Sequence, residues 1–223
     1  MKRIHIICEG QTEETFVKDI LAPEFSAQGV ELRPSLIGKP GHKGGNVRIE
    51  RLVTDVRNRL LSDKDAYCTT FFDYYGLPTG FPGKIEAAQI ASPFKKSELM
   101  CNALREHISS KVGENATLRF IPYVQMYEFE ALLFSDPEKM ALSLNRKDLA
   151  PSFSDIRKAF PSPEDINDSP ITAPSKRIIS FVGEYEKPLM GVLTALEIGL
   201  SSIRAECPLF NAWLNRLLEV AKC

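Results

Sequence analysis

Apolar residues in the first half of the chain alternate between short continuous runs and helical periodicity, and in the second half they are helical throughout. Arg3 to Cys8, apolar except at Arg3 and His5, predicts a buried strand. Thr12 to Ala22 places Phe16, Val17, Ile20 and Leu21 on one face and predicts a helix stopping at Pro23. Val30 to Ile37 predicts a second strand, and Pro34 inside it assigns that strand to an edge. Arg48 to Leu61 is a helix by the spacing of Ile49, Leu52, Val53, Val56 and Leu60. A third strand over Ala66 to Phe72, a helix over Ser97 to Val112 and a fourth strand over Leu118 to Val124 follow. The alternation predicts an α/β fold with a mostly parallel central sheet flanked by helices.

Beyond Glu128 the pattern predicts helices at Pro174 to Tyr185, Met190 to Ile203 and Pro208 to Ala221, the last presenting Phe210, Trp213, Leu214, Leu217 and Leu218. The Pro/Ser/Asp-rich stretch from Pro151 to Pro174 reads as an ordered connection or surface loop, not a domain boundary. The expected organisation is therefore an α/β domain over 1–150, with a helical C-terminal extension over 151–223 packed on it.

Composition narrows the function classes. The 28 Lys+Arg and 29 Asp+Glu leave a net charge of -1, so nucleic acid would have to be held by a local patch or bridging metal ions, not by bulk charge. Five scattered cysteines with no Cys-x-x-Cys pair, and only three histidines, disfavour structural zinc and a disulfide framework. The apolar run ending at Glu9 is too short for an export signal or a membrane span, so a cytoplasmic protein without membrane contact is expected.

In open α/β sheets, ligands bind beyond the carboxyl ends of the strands, and here those ends are acidic. Strand one runs into Glu9-Gly10-Gln11-Thr12-Glu13-Glu14, strand three into Asp73-Tyr74-Tyr75-Gly76, and strand four is followed by Glu128-Phe129-Glu130. Carboxylates converging there repel one another unless a cation shares them, and hard oxygen donors select Mg²⁺ or Mn²⁺. Glu13 alternatively complements a helix N-terminus, and Asp73 alternatively opens a turn rich in Gly and Pro. Of Glu128 and Glu130, one is expected as a ligand and the other as a cap or surface charge. Gly38 to Asn46 is either a flexible loop or, with Lys39, Lys43, Arg48 and Arg51, a contact for backbone phosphates. Lys176 opens a helix, where a cation opposes the helix dipole; it is either solvated or positioned to neutralise a phosphate.

At Glu9 to Glu13 and Phe72 to Gly76 the sequence resembles the Toprim superfamily, found in topoisomerases, DnaG-type primases and overcoming-lysogenization-defect (OLD) nucleases. It is more closely similar to a bacterial family of uncharacterised small Toprim-like proteins, through Glu9-Gly10-Gln11-Thr12-Glu13, Asp73 to Pro78, Glu128 to Phe134, Pro174-Ser175-Lys176-Arg177 and Cys207 to Phe210. This resemblance implies a Toprim-like fold and a nuclease working with a partner ATPase of the ABC/SMC type, as in phage defence. It departs from many Toprim domains at Tyr75, which stands where a second aspartate would be. Glu13 would compensate, since OLD-type nucleases carry an acid four positions after the first glutamate.

The expected function is divalent-metal-dependent phosphodiester hydrolysis of DNA or RNA. Glu9, Glu13 and Asp73 would hold Mg²⁺ or Mn²⁺, Glu128 or Glu130 would complete the set, and Lys176 would neutralise the phosphate. Two alternatives stand beside it: a non-catalytic Toprim-like subunit regulating a partner ATPase, and a small-molecule phosphohydrolase.

Overall fold

The computed structural model describes residues 1–38, 47–167, 169 and 171–221. Its centre is a parallel sheet of β1 (Lys2–Cys8), β2 (Val30–Leu36), β3 (Tyr67–Asp73), β4 (Phe120–Ile121) and β5 (Val124–Gln125), ordered β2-β1-β3-β4 with β5 also on β3. The predicted α/β class with a parallel sheet flanked by helices is therefore present. β2 is the edge strand, so the N–H that Pro34 lacks removes nothing from the sheet interior.

The pleat divides the core between the two faces. Ile4, Ile6, Cys8 and Phe71 point to one side, while Ile7, Cys68 and Phe72 point to the other. The second face is covered by the helices Ile49–Ser62, through Leu52, Val56 and Leu60, and Pro93–Val112, through Met100, Leu104 and Ile108. The first face receives the C-terminal helices. Trp213, from the helix Pro208–Ala221, stacks on Tyr123 at 4.4 Å and 6°, and its Nε1 donates to Thr69 Oγ1 at 2.9 Å. Phe153, Ile166, Ile178 and Phe210 thus contribute to the same core as Ile4 and Phe71 of the sheet.

Four expectations are corrected. The first helix does not stop at Pro23: a π-helical turn over Val17–Leu21, in which Ala22 N–H donates to Val17 O, carries the chain into the helix Ala22–Ser26. Pro23 falls at the start of that new turn, where a missing N–H is tolerated. The fourth strand is not continuous from Leu118 to Val124. Leu118 is exposed, and the pairing with β3 is interrupted at Pro122-Tyr123, where Thr70 Oγ1 accepts from Tyr123 N at 2.9 Å and donates to Tyr123 O at 2.8 Å. Part of the expected loop after Pro151 is the helix Ala150–Lys158, which Pro151 enters in its first turn and Phe153 anchors in the core. Gly199, at φ 87°, divides the expected helix from Met190 to Ile203 into Val192–Ile198 and Leu200–Glu206.

Candidate active site

Parallel pairing of β1 with β3 sets Cys8 opposite Phe71, so the chain leaves both strands at the same edge. Glu9 follows β1 and Asp73 closes β3. Glu9 N–H donates to Phe71 O at 3.2 Å, and Glu9 Oε2 accepts from Asp73 N–H at 3.1 Å, which ties the two strand ends together. Gly10 is the N-cap of the helix Gln11–Phe16, and Glu13 Oε2 accepts its N–H at 2.9 Å. That bond turns the Glu13 carboxylate back toward the strand ends, where it is only 6% exposed.

Glu128 and Glu130 arrive from the far side. Glu128, extended, precedes the 3-10 helix Phe129–Ser135, and its carboxylate accepts from Ser175 N at 2.8 Å and Ser175 Oγ at 3.0 Å. It thereby caps the first turn of the helix Pro174–Val182. Glu130 is 1% exposed, with Lys187 Nζ at 3.1 Å from Oε2; the same ammonium lies 3.8 Å from Glu128 Oε1.

The electrostatics are those of crowded buried acids. Burial, then the field of Glu9, pushes Glu13 up to about 7. Burial also raises Glu130 to about 7 against the lowering influence of Lys187. Asp73 is held well above the usual carboxylate range by burial and by the negative fields of Glu13, Glu9 and Glu130. Burial raises Glu9 too, against the Asp73 N–H, Lys187 and Lys84. Burial would lower Lys187, but Glu130, Glu128 and Asp73 more than offset it, so this ammonium is held above its usual range.

Among the described residues, three buried polar atoms have no hydrogen-bond partner: Asp73 Oδ1, Glu130 Oε1 and Tyr185 Oη. All three belong to this neighbourhood, since Asp73 and Tyr185 each feel the Glu130 carboxylate. Unpartnered carboxylate oxygens beside further buried acids are a hard-oxygen donor set with negative charge in excess, which fits Mg²⁺ or Mn²⁺ by chemistry. Among the described residues, no group of three or more His, Cys, Asp or Glu is gathered into a ready coordination shell. The oxygens of Glu9 and Glu13 that accept backbone N–H groups are turned to those bonds, so cation binding would draw the acids together.

The structure thus brings Glu9, Glu13, Asp73 and Glu130 to one place and gives Glu128 to a neighbouring helix terminus. Lys176 is exposed in the first turn of Pro174–Val182 and joins none of these acids. Arg48 is exposed just ahead of the helix Ile49–Ser62 and Arg51 packs near Gly38; neither contacts the acids. Lys39 and Lys43 lie outside the described residues. Tyr75 donates its hydroxyl to Asn167 Oδ1.

The residue that sequence reasoning missed is Lys187, in an unremarkable stretch of Glu, Tyr and Lys. Only the packing of the π-helical turn Lys187–Gly191 against the helix Gln11–Phe16 delivers it to the acids.

Fold and site define the class: an α/β protein with a parallel sheet that gathers buried carboxylates and one lysine at its carboxyl edge. The chain belongs to the DUF4276 family, a domain of unknown function, whose match covers residues 8–218 and so every residue of the acidic cluster. No curated protein and no solved structure matches it. No helix among the described residues is long and apolar enough to cross a membrane.

Proposed function

We propose that the chain is a Toprim-like, divalent-metal-dependent phosphodiesterase acting on DNA or RNA. The observation that carries this reading is the convergence of Glu9, Glu13, Asp73 and Glu130 on the carboxyl edge, with Asp73 Oδ1 and Glu130 Oε1 left without partners. Mg²⁺ or Mn²⁺ held there would activate water and stabilise the departing oxygen of an in-line displacement. Asp73 and Glu130 would supply the unpartnered oxygens, while Glu9 and Glu13 stay oriented by the Asp73 and Gly10 N–H groups. Lys187, already facing the acids, takes the phosphate-neutralising role that the sequence assigned to Lys176. The resemblance to OLD-type systems supports a partner ATPase of the ABC/SMC type and a defence role.

A second reading has its own observation. Lys187 Nζ, 3.1 Å from Glu130, already supplies a positive charge within the cluster, so the acids have a counter-charge without a metal, which suits a non-catalytic Toprim-like regulatory subunit.

The two readings part on one experiment. Purified protein is incubated with single- and double-stranded DNA and RNA, with Mn²⁺ or EDTA, beside an Asp73→Ala variant checked for folding. Metal-dependent cleavage lost in Asp73→Ala is expected; cleavage retained in full by that variant removes Asp73 from the mechanism, and no cleavage by the wild type favours the regulatory subunit.

A further inference from the structure

Directly after Asp73, the chain builds a second cluster that the proposed hydrolysis does not use. Tyr74 lies 5.9 Å from Tyr75 and 5.7 Å from Tyr127 between ring centroids, and Tyr75 lies 5.6 Å from Tyr127. Two lysines stand on these rings. Lys84 Nζ is 3.3 Å from the Tyr74 centroid and donates to Tyr74 O, while Lys96 Nζ is 4.8 Å from the centroids of both Tyr74 and Tyr127.

Neither ammonium pairs with a carboxylate among the described residues, although Lys96 is only 7% exposed. A buried ammonium without a counter-ion is costly, and ring faces offset only part of that cost. The arrangement is complete in aromatic surface and incomplete in negative charge. It also adjoins the acids: Tyr75 N–H donates to Tyr127 O at 3.1 Å, Glu128 follows Tyr127, and Lys84 feels the field of Glu9. Tyr74 and Tyr127 are buried, whereas Tyr75 is partly open to solvent with its hydroxyl fixed on Asn167.

A ligand matching both features carries a negative charge next to a flat ring. We propose that Lys84 and Lys96 hold a phosphate flanking the scissile one, while the Tyr75 ring stacks the attached base, so that the substrate is single-stranded nucleic acid or an unpaired strand end. This inference rests on the phosphodiesterase reading and specifies its substrate. A base within a duplex keeps its faces against its neighbours and offers no face to Tyr75; an unpaired base does.

The test measures binding in EDTA, where no strand is cut, by fluorescence anisotropy of labelled oligothymidylate and of a duplex of equal length. The wild type is expected to prefer the single strand. Tyr75→Leu weakens that binding by about tenfold while Tyr75→Phe retains it. Lys96→Met flattens the slope of log Kd against log salt by about 0.7, the share of one neutralised phosphate on a single strand. Lys84→Met carries the same expectation and replaces Lys96→Met if near-UV circular dichroism shows that variant unfolded. Equal affinity for both probes, or unchanged affinity and slope in the folded variants, overturns the proposal. Because the assay needs neither metal nor cleavage, a catalytically silent wild type would sink the hydrolysis reading without altering the binding result.

Discussion

The carboxylate of Glu9 occupies the space that a side chain at position 76 would need: a β-carbon on Gly76 would lie 2.0 Å from Glu9 Oε1 and 2.5 Å from its Cδ. A side chain at position 76 is therefore accommodated only if the Glu9 carboxylate moves. Gly76→Ala is expected to push Glu9 off the Asp73 N–H while leaving the two core faces intact. A displacement of this kind would lower metal-dependent cleavage by about 100-fold with little change in melting temperature. Wild-type activity in a folded Gly76→Ala protein would show that the position of Glu9 does not matter.

Lys187 and a divalent cation would compete for the same negative field. Lys187→Met is therefore expected to tighten Mn²⁺ binding by about tenfold, read by isothermal titration. The same variant should cleave more slowly by about 100-fold, since its phosphate-neutralising charge is gone. Weaker Mn²⁺ binding would instead mean that Lys187 organises the acids for the metal.

Away from the site, Glu164 fastens the last helix. Its two oxygens accept from Leu209 N at 2.8 Å and Phe210 N at 2.9 Å, at the start of Pro208–Ala221, and the residue is 1% exposed. Glu164→Ala leaves both N–H groups without this partner and is expected to destabilise by about 2 kcal/mol. Urea denaturation measures this directly, and a change within a few tenths of a kcal/mol would show that water replaces the cap.

Stability should also fall as pH rises from about 4.5 to 7. Burial holds Glu13, Glu130 and Glu164 at about 7, above the ordinary glutamate value of 4.5. Between those limits the folded protein binds more protons than the unfolded chain, so each group's contribution declines as pH climbs from about 4.5 to 7 and is level above. Glu13→Gln removes one such group and keeps an oxygen to accept the Gly10 N–H. Its stability should exceed that of the wild type at pH 8 by about 2 kcal/mol, with the gain vanishing toward pH 5. A gain independent of pH would show that Glu13 is ionised throughout.

Much of the sheet was legible because its signals are local. The apolar run before Glu9, the edge character conferred by Pro34 and the helical spacing of Leu52, Val56 and Leu60 each act within a few residues. The errors arose where a distant partner changes a local rule. Thr70 bridges the break at Tyr123, and a π-helical turn lets the first helix pass Pro23. For Lys96 a signal existed: it shares the four-residue spacing of Met100, Leu104 and Ile108 on the buried face of its helix, but the apolar periodicity alone starts that helix at Ser97.

The sequence by itself determined that Glu9 and Asp73 share an edge, because parallel strands of one sheet release their chains on the same side of it. It also determined the hard-oxygen character of that edge. Only the tertiary structure decided that Glu130 faces the acids while Glu128 caps a helix, and that Lys187 in place of Lys176 supplies the positive charge. It alone seated Lys84 and Lys96 on a tyrosine face. Those assignments depend on contacts between separate elements, about 50 positions apart for Glu128 with Ser175 and Lys187 with Glu130 and shorter for the two lysines on the tyrosines, which no local periodicity encodes.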